Sequence, residues 1–264
     1  MAKRQPDLTG RPTEVVQRFR LRYAKRGRLR FTSHRDVARC FERALRRAQV
    51  PMAYTSGFTA HPRISWLGAA PTGVASEAEY VELALAQVCD PEAVRLALDA
   101  SLAPGLDVVE CVVSGGGSLA ERVEASQWQI VLPGVSLDEA RWAVSLFLAE
   151  QVVQVERLTK DGVRLLDARG AVLSVAVSVA VLPRATPGAC SDGRSADCAI
   201  LQVVVQQTTP AVRPDDVLAA LRSVAGLEPP VPAEVTRLAQ GRLAADGSID
   251  DPLRTDREHA VSIG

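Results

Sequence analysis

Two of the three histidines in the chain sit in short polar motifs near its start, His34 in Thr32-Ser-His-Arg-Asp36 and His61 in Tyr54-Thr-Ser-Gly-Phe-Thr-Ala-His-Pro-Arg63. Imidazole titrates near neutral pH, so two of them facing one pocket can act as general acid and general base on a phosphodiester, or can ligate a metal. Two histidines without a third ligand argue against the metal. The alternative is structural, with His34 bonded into a helix start and His61 fixing its loop. His34 and His61 are therefore the candidate catalytic residues, and Ser33, His34, Asp36, Tyr54, Gly57, Phe58 and His61 are the candidate pocket. Tyr54 and Phe58 offer faces on which a base can stack, and Arg63 can pair with a phosphate.

The elements that must hold these residues follow from periodicity. Val15 to Ala24 alternates as a strand, with Phe19, Leu21 and Tyr23 on one face and Arg18, Arg20 and Arg22 on the other. Ser33 is a helix N-cap with Asp36 three residues on, and Phe41, Ala44, Leu45 and Ala48 form the apolar stripe that follows. Opposite that stripe lie Arg35, Arg39, Arg43 and either Arg46 or Arg47. A two-layer unit leaves one sheet face in water, so Arg18, Arg20 and Arg22 are expected as an open row. With Arg28, Arg30, Arg35, Arg39, Arg43 and Arg63 they make up the candidate phosphate-binding set. The bland reading is a solvated helix face.

Further strands are expected near Ile64 to Leu67, Glu79 to Ala86 and Asp107 to Val113, with a helix capped by Asp90 and opened by Pro91 between the last two. The second half repeats the order: a strand at Trp128 to Leu132, a helix behind the capping box Ser136-Leu-Asp-Glu139, strands at Val152 to Thr159, Val172 to Leu182 and Leu201 to Gln207, a helix from Pro214, and a short strand near Val235. A hairpin near Asp161-Gly162 is extra. Each half reads βαββαβ, which makes the expected fold α+β with two tandem ferredoxin-like units and antiparallel sheets.

The expected boundaries are an N-terminal tail over 1–14, a first domain over 15–113, a linker over 114–126, a second domain over 127–239 and a disordered tail over 240–264. Ser114-Gly-Gly-Gly-Ser118 is not followed by the Lys-Ser/Thr of a phosphate-binding loop, so it reads as linker.

Formal net charge is zero, from 31 basic and 31 acidic residues. The zero hides an asymmetry: residues 1–50 hold 15 basic against four acidic side chains. An excess of this kind suggests a polyanionic partner. The longest uncharged apolar run, Ala171 to Leu182, falls short of the roughly 20 residues a membrane helix needs, and no basic-plus-apolar leader opens the chain. The expectation is a cytoplasmic protein with no membrane partner.

The five cysteines form no CxxC pair, which excludes a zinc ribbon or dithiol redox site, and the CxxxCxxC pattern of radical S-adenosylmethionine enzymes is missing. No cofactor and no metal are expected. Cys190 and Cys198 read as an incidental surface pair in a polar loop. Glu77, Glu79 and Glu82 read as an exposed strand edge, Asp167 and Arg169 as a local ion pair, and Trp128, Trp142 and Phe147 as core.

Four blocks, Arg28-Leu-Arg-Phe-Thr-Ser-His-Arg-Asp36, Phe41-Glu-Arg-Ala-Leu-Arg-Arg-Ala48, Ser56-Gly-Phe-Thr-Ala-His-Pro-Arg63 and Gly73-Val-Ala-Ser-Glu-Ala-Glu-Tyr80, occur in order and at close spacing. Together they resemble the radical-SAM-linked bacterial family of unknown function, over most of residues 15 to 240. The family pattern is closer to Ser-His-Leu-Asp and Gly-Phe-Asn-Pro-His-Pro-Lys; here Arg35, Thr59-Ala60 and Arg63 depart from it, while both histidines and Asp36 match. The resemblance implies partnership with radical-SAM chemistry, with RNA as a candidate substrate. The expected function is an RNA-binding or substrate-presenting accessory protein, without catalytic activity of its own, for a separate radical-SAM enzyme in RNA modification or processing. One alternative is a metal-independent endoribonuclease using the two histidines. The other is a protein-interaction adaptor for which nucleic acid is irrelevant.

Overall fold

In the first strand, Gln17–Lys25, the apolar Phe19, Leu21 and Tyr23 alternate with arginines, and this alternation decides which layer covers each face. The computed structural model describes residues 14–57, 59–159, 162–179 and 198–263, with side chains up to residue 259. Phe58, Asp161, Cys190, most of the expected N-terminal tail and the end of the expected strand Val172 to Leu182 lie outside the described residues.

In chain order the elements are β1 (Gln17–Lys25), a 3-10 turn (Gly27–Phe31), α1 (His34–Arg47), β2 (Ile64–Leu67), β3 (Ala75–Leu85), α2 (Pro91–Asp99), β4 (Leu106–Val113), β5 (Ala125–Pro133), α3 (Leu137–Ala149), β6 (Gln154–Thr159), β7 (Gly162–Asp167), α4 (Ala168–Ala171), β8 (Val172–Val179), β9 (Cys198–Gln206), α5 (Pro214–Ala225), β10 (Glu234–Leu243), β11 (Ile249–Asp250) and α6 (Arg254–Ile263). The protein is thus mixed α+β, dominated by sheet, and its sheet is mostly antiparallel. The chain divides into two compact units, one running to Glu121 and resuming at Pro252, the other spanning Arg122–Asp251.

In the first unit the strands lie in the order β4-β1-β3-β2. Phe19, Leu21 and Tyr23 of β1 and Val81, Leu83 and Leu85 of β3 point to one face, where they pack with Phe41, Ala44 and Leu45 of α1 and Leu98 of α2. Ser33 and Asp90 cap the two helices through their side chains, as the local sequence requires.

The opposite face is covered as well. The last 25 residues, expected as a disordered tail, contain the end of β10, all of β11 and the ten-residue α6. Leu253 is fully buried with Ala78, Tyr80 and Leu119, and Asp256 in the first turn of α6 is fully buried too. No apolar period announces α6, because its hold on the sheet is largely ionic. The glycine-rich stretch read as a linker closes against it: Gly115 N–H donates to Asp256 Oδ1 at 2.8 Å. A Cβ on Gly115 would stand 3.3 Å from that oxygen and from the His259 side chain, so only glycine fits without displacement.

Three further expectations are corrected. Glu79 and Glu82 are not an exposed edge: β3 is flanked by β1 and β2, Glu79 is buried and accepts the Ala70 N–H at 3.0 Å, and Glu82 pairs with arginines of β1. Cys198 is no surface thiol, since it opens β9 and is fully buried. Trp142 is 58% exposed, because the buried stripe of α3 runs through Ala140, Ala143, Val144 and Phe147 and leaves position 142 on the outer side.

In the second unit the strand order is β10-β5-β9-β8, with β11 on β10, and β6 and β7 form a separate hairpin. Trp128 and Phe147 are buried as expected, and Ile130 and Leu132 are buried with them. Asp167 caps α4 by accepting the Arg169 N–H rather than pairing with its guanidinium, which lies 5.9 Å from the Phe147 ring.

Candidate nucleic-acid interface

The β1 arginines do not form an open row. Arg20 is fully buried, with Nε 3.0 Å from Glu82 and Nη1 2.9 and 3.1 Å from the two oxygens of Asp256, while Nη2 donates to the Gly117 carbonyl. Arg18 pairs with Glu82 at 3.0 Å, and Arg22 lies 3.7 Å from Glu110. The carboxylates come from β3, β4 and α6, so the local shortage of acids in the sequence is made up by strands and a helix remote in the chain. Buried and ion-paired, Arg20 is not available to a phosphate, while Arg18 and Arg22 share their carboxylates with Arg20 and Arg257 and stay partly exposed.

The helix arginines stay in water. Arg35, Arg39, Arg43, Arg46 and Arg47 are all exposed on α1. Arg39 makes only a loose contact with Asp36, 3.5 Å long, Arg43 approaches the Cys40 sulfur, and Arg47 donates to the Ser101 carbonyl. Among the described residues Arg28, Arg35, Arg46 and Arg63 have no carboxylate partner. Arg30 stands 4.8 Å over the ring of Phe31, which is 60% exposed. That aromatic escapes a reading of the sequence because it sits in a turn rather than in the histidine loop, yet an exposed ring under a guanidinium is a surface on which a base can stack.

At the start of α1 the Ser33 hydroxyl accepts the Asp36 N–H at 3.2 Å and donates to the Asp36 carboxylate at 2.7 Å. Ser33→Ala removes this cap and is expected to cost about 1 kcal/mol of stability, read as a lowered urea midpoint with unchanged slope. His34, exposed, meets the edge of Trp66 at 5.3 Å between ring centroids, and Trp66 in turn packs on Phe41 at 5.2 Å and Tyr23 at 6.0 Å. The core therefore fixes His34 through Trp66, a link with no local signal in the sequence.

His61 is held through its backbone. Its N–H donates to the Thr55 hydroxyl at 3.1 Å and its carbonyl accepts the Thr55 N–H at 2.9 Å, while Tyr54 and Pro62 form an isolated bridge and Gly57 takes a φ of 122°. The imidazole is exposed, and Arg63, two residues on, immediately precedes β2. Among the described residues neither His34 nor His61 bonds a carboxylate through its ring, the contact that orients a general base. Nor do the described residues contain a group of three or more His, Cys, Asp or Glu able to hold a metal ion. Burial pushes the Cys111 thiol up to about 12, so it stays protonated at neutral pH and is no nucleophile.

Fold and site together define an α+β protein whose exposed helix carries the basic surface, beside an aromatic turn and two histidine motifs. The chain belongs to the family described as uncharacterized protein conserved in bacteria (DUF2344), whose model matches residues 18–214. No curated protein matches it. No helix among the described residues is long and apolar enough to cross a membrane.

Proposed function

We propose that this protein binds RNA through the outer face of α1 and presents it to a separate radical-SAM enzyme in the cytoplasm, without catalysing a reaction itself. The observation that carries the reading is the set of exposed arginines at positions 35, 39, 43 and 46, recurring at helical spacing and neutralised only by one loose contact to Asp36. Guanidinium groups so placed can track successive phosphates. Phe31 supplies the stacking surface, and His34 and His61 are binding rather than catalytic groups. Partnership with a radical-SAM enzyme rests on the resemblance carried by the four sequence blocks. Each unit is read as ferredoxin-like, supported in the first by the βαββαβ order and the β4-β1-β3-β2 arrangement.

The test is fluorescence anisotropy with a labelled single-stranded RNA across a salt series. Removing one phosphate-binding side chain should reduce the log–log salt slope by about 0.7, so Arg35→Ala with Arg43→Ala is expected to flatten it by about 1.4 and weaken binding at least roughly tenfold. Arg18→Ala should leave the slope unchanged. Salt-independent association, or none with any RNA, overturns the proposal.

A further inference from the structure

The sheet of the second unit ends on β8, and no charged residue interrupts the chain between Arg169 and Arg184. An edge strand presents a row of N–H and C=O groups to any strand it meets, and folded proteins blunt such edges, most simply with a charge. The edge of the first unit follows that rule: β4 carries Asp107 and Glu110, tied to Arg26 and Arg257. In β8 the charge is missing. From Leu173 to Val179 the main chain bonds only β9 among the described residues, and Leu173 and Val179 are 42% and 46% exposed.

The strand is also a palindrome about Ala176, reading Ser174-Val-Ala-Val-Ser178. Its register against β9 is regular from Ser174 to Val179, the irregularity of this pairing falling before Ser174. Ser174, Ala176 and Ser178 alternate along the strand as exposed positions, and Val175 and Val177 between them are half-buried. Two such strands, antiparallel about a two-fold axis at Ala176, place each residue opposite its own kind. Ala176 then faces its own counterpart, Val175 faces Val177 of the second copy, and Ser174 faces Ser178. Cross-strand pairs of β-branched and of hydroxyl side chains stabilise a sheet, and no like charges meet.

We propose that the protein forms a symmetric dimer in which β8 pairs with β8 of a second copy, joining two sheets edge to edge. The pairing supplies roughly six to eight main-chain hydrogen bonds. An isologous contact occupies both edges at once, so assembly stops at two. A strand from an unrelated protein would gain main-chain bonds as well. Only self-pairing, however, turns the palindrome into matched side chains.

The experiment is sedimentation equilibrium of the full chain across a concentration series. A monomer–dimer equilibrium is expected, with no larger species. Ala176→Lys sets like charges against each other at the axis and should weaken dimerisation at least roughly tenfold, and Ala176→Glu should do the same. Mixing the two variants should restore the dimer, because the charges across the axis then attract. Position 176 is exposed, so each variant should keep the far-ultraviolet circular dichroism of the parent. A monomer at every concentration up to about 1 mM, the weak end of specific association, overturns the assignment. So does a mass that climbs past two, a single variant that dimerises as well as the parent, or a mixture that stays monomeric. Arg35→Ala with Arg43→Ala should leave the mass unaltered, so this proposal and the RNA reading fail or stand separately.

Discussion

Asp256→Ala is expected to destabilise the protein by about 3–5 kcal/mol, because it strands a charge in a place that water does not reach. Arg20 and Asp256 are both fully buried and joined by two hydrogen bonds, and Gly115 N–H completes the shell of the carboxylate. Removing Asp256 leaves the buried Arg20 with Glu82, shared with Arg18, as its one remaining carboxylate among the described residues. Against a total stability of about 5–15 kcal/mol, that loss is enough to unfold much of the first unit at 37 °C. Arg20→Met with Asp256→Leu removes both charges and should recover most of the stability, since an apolar pair of similar volume can replace a buried ion pair. Urea denaturation of Arg20→Met, Asp256→Leu and the double variant closes the cycle. Additive losses in the double variant would show that the two side chains are not coupled.

Phe41→Ala should cost about 3–5 kcal/mol and also weaken RNA binding. Phe41 is fully buried in α1, 4.7 Å from the Tyr23 ring and 5.2 Å from Trp66, which holds His34 by its edge. Truncation opens a cavity beneath Trp66, and the indole can then leave His34. The measurement is chemical denaturation together with the His34 ring signals in an NMR spectrum. A large stability loss with unmoved His34 signals would show that Trp66 is fixed independently of the core.

The helices that carry the candidate site can be read from residues close together in the chain. Ser33 before Asp36, and Asp90 before Pro91, are local instructions, and both helices begin where those residues place them. The apolar side of β1 is equally local. Its polar side is not: whether Arg20 faces water or a carboxylate depends on Glu82 and on Asp256, 62 and 236 residues away. The number of acids near Arg20 in the chain therefore says little about its surroundings. The same distance hides α6, whose ten residues have no apolar stripe and whose burial is anchored by Leu253 and an ion pair. Trp66 is hidden for a related reason, since a four-residue strand gives no sign of which ring it will touch.

The discontinuity of the first unit sets an order of events during synthesis. Strand β1 leaves the ribosome well before α6: Glu82 follows Arg20 by 62 residues, but Asp256 follows it by 236. At about 5–20 residues per second, Arg20 waits roughly 10–50 s for this second carboxylate, while the whole second unit is made. During that interval Arg20 has only Glu82, which it shares with Arg18, as a carboxylate partner. A product that stops before Asp256 is left with that arrangement.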